Sequence, residues 1–165
     1  MPARLEATLG DITVEATDAI VNAANPALAA GAGVCGAIFA AAGPDLAPAC
    51  AALGGARTGD AEATPGFRLT ARWIIHAVGP VWHGGADGEP ELLASAYRRA
   101  LEVAVEMGAR SVAFPAISTG IYGYPLELAT QIAVATCREA PPEIDLIRFV
   151  CFDGDTLAAY ERELD

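Results

Sequence analysis

The sequence predicts an α/β fold in which a sheet containing parallel strand pairs is covered by helices on both faces, and three observations lead there. Apolar residues make up 53% of the chain and charged residues only 19%, which excludes intrinsic disorder and suits strands buried on both sides. Apolar runs of strand length alternate with segments of helical periodicity along most of the chain. With 165 residues, no linker, no composition break and no repeat of fixed period, the chain reads as one domain over residues 1–165.

The elements follow in order. "RLEATLG" alternates as an opening strand, and "DAIVNAA" is a short buried strand. "VCGAIFAAAG" and "PDLAPACAAL" are alanine-rich helices, the second with proline where a helix starts. "RWIIHAVGP" and "SVAFPA" are buried strands closed by Gly or Pro. Between them, "PELLASAYRRALEVAVEMG" spaces its apolar residues by three and four and ends in glycine, the mark of an amphipathic helix with a C-terminal cap. "LELATQIAVATCREA" is a further helix, "DLIRFVCF" a late strand and "DTLAAYEREL" a terminal helix.

Charge and composition narrow the function. A net charge of −11 argues against nonspecific binding to nucleic acid or an anionic membrane, although backbone amides at a helix N-terminus can still hold a small phosphate. All ten basic residues are arginine, which removes a P-loop lysine and Schiff-base chemistry. Cys35, Cys50, Cys137 and Cys151 form no CxxC pair, and His76 and His83 are the only histidines, so no metal site is expected. No apolar run reaches membrane-spanning length and the N-terminus lacks a leader pattern, so the expected location is cytoplasmic. The alanine-rich, lysine-free composition suggests a GC-rich bacterial genome.

In an open α/β sheet, ligands bind where strand ends lead into helices. Three such loops stand out. "NAANPALAAGAGVCG" strips away side chains just before a helix, so backbone can approach an anion. "PAISTGIYGYP" supplies a second small, donor-rich loop, and the two together could clasp a diphosphate. "DGDT" follows the last strand. Asn22, at the strand end, reads as a local turn cap, whereas Asn25, beside the glycine loop, reads as a ligand for ribose hydroxyls or a water. Asp11 suits either an exocyclic amine or a turn, and Phe152 either a stacked base or the core. His76 and His83 are assigned to structural hydrogen bonding, with nothing in the sequence placing either beside Cys35.

"GDIT", "DAIVNAAN", "GAIFAAAG", "IIHAVGPVW" and "FPAISTGIYGYP" occur in that order, and across nearly the whole chain the sequence resembles the macrodomain family, in its MacroD-type branch. The resemblance implies a three-layer α/β/α domain with a mixed, mostly parallel six-stranded sheet that binds ADP-ribose without a cofactor or metal. By position, Asp11 would take the adenine amine, Ile12 its ring nitrogen through backbone, and Phe152 its face. Gly33, Val34 and Gly36 on one loop, with Ser118, Thr119, Gly120, Ile121 and Tyr122 on the other, would wrap the diphosphate and distal ribose. Asn25 would hold that ribose. The implied partners are ADP-ribose and mono-ADP-ribosylated proteins.

Hydrolases of this branch carry Asp ten residues beyond the second Asn of "NAAN" and His four residues later; here those positions hold Cys35 and Phe39. Phe39 cannot transfer a proton. The leading expectation is a hydrolase that removes ADP-ribose from acidic side chains, with Asn25 and Tyr122 shaping the substrate and the ligand's own phosphate orienting a water. Cys35 is expected to line the pocket, with a nucleophilic role as the competing reading. The alternatives are a binding module without turnover and an O-acetyl-ADP-ribose deacetylase.

Overall fold

The computed structural model describes residues 2–165. Six strands, β1 (Arg4–Leu9), β2 (Ala19–Ala24), β3 (Ala61–Pro65), β4 (Trp73–Val78), β5 (Ser111–Phe114) and β6 (Leu146–Cys151), form one sheet in the order β1-β6-β5-β2-β4-β3. All neighbours are parallel except β3 and β4, so the sheet is mixed and mostly parallel, as expected. The five helices are α1 (Gly33–Ala42), α2 (Leu46–Leu53), α3 (Glu89–Glu106), α4 (Leu126–Arg138) and α5 (Gly154–Leu164), with a 3-10 turn at Ile12–Val14.

Alternate residues of the four central strands β6, β5, β2 and β4 feed two hydrophobic clusters, which is the physical meaning of three layers. On one face, Val21, Ile75, Phe114 and Phe149 pack under Tyr97 and Leu101 of α3, Val134 of α4 and Tyr160 of α5. Their rings form a continuous stack: Tyr97–Phe114 at 5.0 Å, Phe114–Phe149 at 6.2 Å and Phe149–Tyr160 at 4.7 Å between centroids. On the other face, Ile20, Ile74 and Val78 pack under Ile38 and Phe39 of α1 and Leu46 of α2. Phe39 is thus half-buried, packed against the edge of this cluster. Among the described residues no single helix is long and apolar enough to cross a membrane.

The sequence reading found every element except β3 and the 3-10 turn. β3 is the antiparallel edge strand, only five residues long and closed by Pro65, and it lacks the apolar run that marks the central strands. Asn22 is also corrected. It lies inside β2, in register with His76 of β4, rather than capping a turn at the strand end.

Candidate functional site

Four parallel strands, β1, β6, β5 and β2, are consecutive across the sheet, and each delivers an expected site residue at its carboxyl end. Asp11 and Ile12 follow β1, Phe152 follows β6, Ser118 to Tyr122 follow β5, and Asn25 and the glycine loop follow β2. The span from first to last is three strand spacings, about 14 Å.

At the β1 end, Asp11 caps the 3-10 turn: its Oδ1 accepts from the Thr13 N–H at 2.9 Å and from the Thr13 hydroxyl at 2.7 Å. Those Thr13 donors, hydroxyl first, hold the Asp11 carboxyl below its ordinary range. Both bonds use Oδ1, leaving Oδ2 without a protein partner among the described residues. Ile12 is buried, whereas Phe152 is 82% exposed, so the aromatic ring after β6 is a surface feature and not core. Ile121, on the neighbouring loop, is equally exposed.

The glycine loop meets α1 without a cap. Ala32 at the N-cap offers no side-chain acceptor, so the amides of Gly33, Val34 and Cys35 at the helix start are left without one. Gly36 is required here for a definite reason: a Cβ on it would lie 2.6 Å from the Gly31 carbonyl oxygen. The loop therefore packs directly on the first turn of α1. Asn25 folds this loop on itself, its Nδ2 donating to the Ala29 carbonyl at 3.0 Å and its Oδ1 accepting from the Ala29 N–H at 3.1 Å. Asn25 thus acts as a local clamp as well as a candidate ligand. A Cβ on Gly31 would sit 3.6 Å from Cys35 Sγ and 3.7 Å from Asn25 Nδ2, which places the thiol and the amide around one glycine.

The second loop is also built for backbone display. Ser118 adopts φ +69°, uncommon for a residue with a side chain, and its buried hydroxyl has no partner among the described residues. The loop closes through Tyr124 N–H to Ser118 O at 2.9 Å and Gly123 N–H to Gly120 O at 3.0 Å, while Thr119 Oγ1 donates to Ala116 O at 2.9 Å. The amides of Gly120, Ile121 and Tyr122 find no acceptor among the described residues. Strand and loop abut so closely that a side chain at Gly79, after β4, would collide with Ser118 and Ile117.

Two supports escaped the sequence reading. Trp82 donates its backbone N–H to the Tyr122 carbonyl at 2.9 Å and packs its ring on Tyr124 with centroids 4.6 Å apart. The loop carrying Trp82 wraps a buried carboxylate: Glu89 accepts from the N–H groups of His83 at 2.7 Å, Gly85 at 2.9 Å and Asp87 at 2.7 Å. Burial works against this charge, yet the backbone donors, Gly85 first and then His83, prevail and bring Glu89 down to about 2. The second missed support is a polar row under α1 and α2. The Asn22 amide lies 3.0 Å from His76 Nδ1 and 3.7 Å from Cys35 Sγ, and His76 Nε2 is 3.0 Å from Thr64 Oγ1. The one legible hint of it was a histidine inside the apolar strand "WIIHAV".

An open hollow of about 440 Å³ lies at the opposite end of the sheet, lined by Phe67, Arg72 and Trp73 of the β3–β4 hairpin. It shares no residue with these loops.

A parallel α/β sandwich that presents two strips of unpaired amides on adjacent strand ends defines a domain for a phosphate-bearing small ligand. The Macro domain family model matches residues 21–133. A Macro domain-containing protein of Ralstonia nicotianae is 55% identical over 161 residues, covering 98% of this chain and 94% of that protein. An O-acetyl-ADP-ribose deacetylase of Cronobacter turicensis is 48% identical over 171 residues, covering 99% and 97%. Among solved structures, the Oceanobacillus iheyensis macrodomain with ADP superposes with a TM-score of 0.90 at 43% identity, covering 96% of this chain and 88% of that one. The Trypanosoma brucei macrodomain in complex with ADP-ribose gives 0.89 at 41%, covering 96% and 69%. The chain belongs to the macrodomain family.

Proposed function

We propose that this chain, acting as one domain over residues 1–165, binds ADP-ribose and hydrolyses its acyl esters, releasing mono-ADP-ribose from acidic side chains of modified proteins. One observation carries the reading. The order of groups along the four strand ends is acid, aromatic, one amide strip, and then a second amide strip together with the asparagine, which suits adenine at one end and the diphosphate and distal ribose at the other. Asp11 Oδ2 takes the adenine amine, the Ile12 backbone its ring nitrogen, and Phe152 stacks on its face. The unpaired amides of Gly33 and Val34 and of Gly120, Ile121 and Tyr122 hold the phosphates, with Gly36, Ser118 and Thr119 shaping the two loops around them. Asn25 meets the distal ribose, and the Tyr122 side chain closes over it. Solved relatives carrying ADP or ADP-ribose support the ligand class.

For the chemistry, the acyl carbon forms a bond to the oxygen of a water as its bond to the ribose oxygen breaks; one water proton goes to the departing ribose oxygen, and the other is lost to solvent as the carboxylate is released. No carboxylate stands where the branch ordinarily carries one, so the water is oriented by the ligand's own phosphate and by positioning, which in favourable cases is worth about 7 kcal/mol. Cys35 is unsuited to nucleophilic attack because no base adjoins it: an Asn22 amide separates it from His76. Burial also pushes that imidazole down to about 4, so it is neutral. The relatives named O-acetyl-ADP-ribose deacetylase favour a second reading, the same ester chemistry on a small acetyl ester.

The test is time-resolved release of ADP-ribose from a glutamate-linked mono-ADP-ribosylated protein, beside O-acetyl-ADP-ribose, by wild type, Cys35→Ala and Asn25→Ala. Release by the first two and little by Asn25→Ala is expected. Turnover of the acetyl ester alone would establish the second reading. Binding without any release would leave a recognition module.

A further inference from the structure

A continuous hydrogen-bonded row crosses the sheet from edge strand β3 to the glycine loop. It begins at Thr64 Oγ1, 3.0 Å from His76 Nε2, with the Cys50 thiol 3.6 Å from the same nitrogen. Burial first, and Cys35 second, push Cys50 up to about 11, so it remains a thiol. The Asn22 amide nitrogen is a donor only, so His76 Nδ1 must accept its bond at 3.0 Å and carry no hydrogen. The imidazole hydrogen then sits on Nε2 and points at Thr64. The second Asn22 N–H reaches Cys35 Sγ at 3.7 Å, and the Cys35 thiol donates to the Ala29 carbonyl at 3.7 Å. That carbonyl also accepts from Asn25. Asn22, His76, Thr64, Cys35 and Cys50 are all buried, and Asn22 Oδ1 has no partner among the described residues, so the burial of this amide is compensated through its nitrogen.

We propose that His76 and Asn22 are positioning residues: their row fixes Cys35, and Cys35 through the Ala29 carbonyl holds Asn25 in the orientation that meets the distal ribose. Cys35 is then a pin for the 25–31 loop. The proposal rests on the reading that Asn25 touches the ligand. A thiol serves because it both accepts from Asn22 and donates to Ala29. Valine has similar volume and does neither; serine does both.

Three measurements on the intact protein test it. Titration calorimetry with free ADP-ribose should show Cys35→Val binding about tenfold more weakly than wild type, and Cys35→Ser recovering to within about threefold. Thr64→Val, distant from the loop and nearly isosteric, should weaken binding by about threefold through the imidazole hydrogen it no longer accepts, and it carries the test if Cys35→Val does not fold. Melting curves separate this from general destabilisation, because a merely structural row would lower the melting temperature and leave affinity unchanged. Nitrogen NMR of His76 should show a bare Nδ1 and a protonated Nε2. An Nδ1–H tautomer, or affinities within about twofold across all three variants, overturns the proposal. Absence of ester release by wild type, with this affinity pattern intact, sinks the hydrolase reading and supports the row.

Discussion

Replacing His76 by glutamine removes a buried imidazole whose protonation the fold resists just on the acid side of neutrality. The imidazole is fully buried and shifted by that burial from its ordinary 6.5 to about 4. A base with a depressed value binds its proton more readily in the unfolded chain, so stability rises with pH throughout the interval between the two values. The contribution is fully favourable above about pH 6.5, declines as pH falls, and reaches its floor near pH 4. At full extent the gap is worth about 3 kcal/mol, of which about 2 kcal/mol falls between about pH 7 and about pH 5. Glutamine can still accept from Asn22 and donate to Thr64 but cannot take a proton, so its pH dependence should be flatter by that amount. Urea unfolding of both proteins, from about pH 7 to about pH 5, measures the difference while staying above the pI near 4.5. The exposed groups common to both chains cancel. Parallel loss of stability in the two proteins would refute the assignment of a buried neutral imidazole.

Gly36→Ala should cost about 1–3 kcal/mol of stability and weaken ADP-ribose binding, because its methyl would displace the Gly31 carbonyl; thermal unfolding and calorimetry check both parts. Phe152→Ala should leave stability within about 0.5 kcal/mol, the ring being exposed, yet weaken ADP-ribose about tenfold if it stacks on adenine. Equal affinity would remove Phe152 from the site. Glu89→Gln should speed hydrogen exchange at the amides of His83, Gly85 and Asp87 by about tenfold or more. Because this carboxyl is lowered from 4.5 to about 2, its support is complete above about pH 4.5 and disappears as pH falls through about 2, so wild-type protection should vanish over that interval.

The central architecture was legible because each central strand is a short apolar run bounded by Gly, Pro or a polar residue, and burial on both faces needs nothing more. β3 escaped because an edge strand needs only one partner and half a buried face, so "AEATP" resembles a loop. The candidate site was legible in its backbone parts. Small residues at "AAGAGVCG" and "STGIYG" advertise amides, and the structure adds the uncapped start of α1 and the positive φ of Ser118. Its side-chain wiring was not legible. Asn22 and His76 lie 54 positions apart in sequence, and only the parallel register of β2 with β4 makes them neighbours. The same holds for Glu89, whose partners are three backbone groups that no residue pattern encodes.

The electrostatics of the cleft follow from the same division of labour. This chain carries a net charge of −11, yet the reading asks it to hold a diphosphate, and none of its ten arginines lies in residues 22–36, 118–124 or 152–154. Arg99, Arg110 and Arg148 are instead committed to carboxylates elsewhere on the surface. Attraction in the cleft must then come from short-range amide dipoles, which act over the length of a hydrogen bond and are oriented before the ligand arrives. Long-range steering by the whole-protein field would disfavour an anion, and salt would screen that repulsion without touching the amides. Added salt should therefore leave ADP-ribose affinity level or raise it, the opposite of an arginine-lined phosphate site. That sign separates recognition by backbone from recognition by charge. On the same reading, glycine rather than a basic side chain suits the positions proposed to face the phosphates.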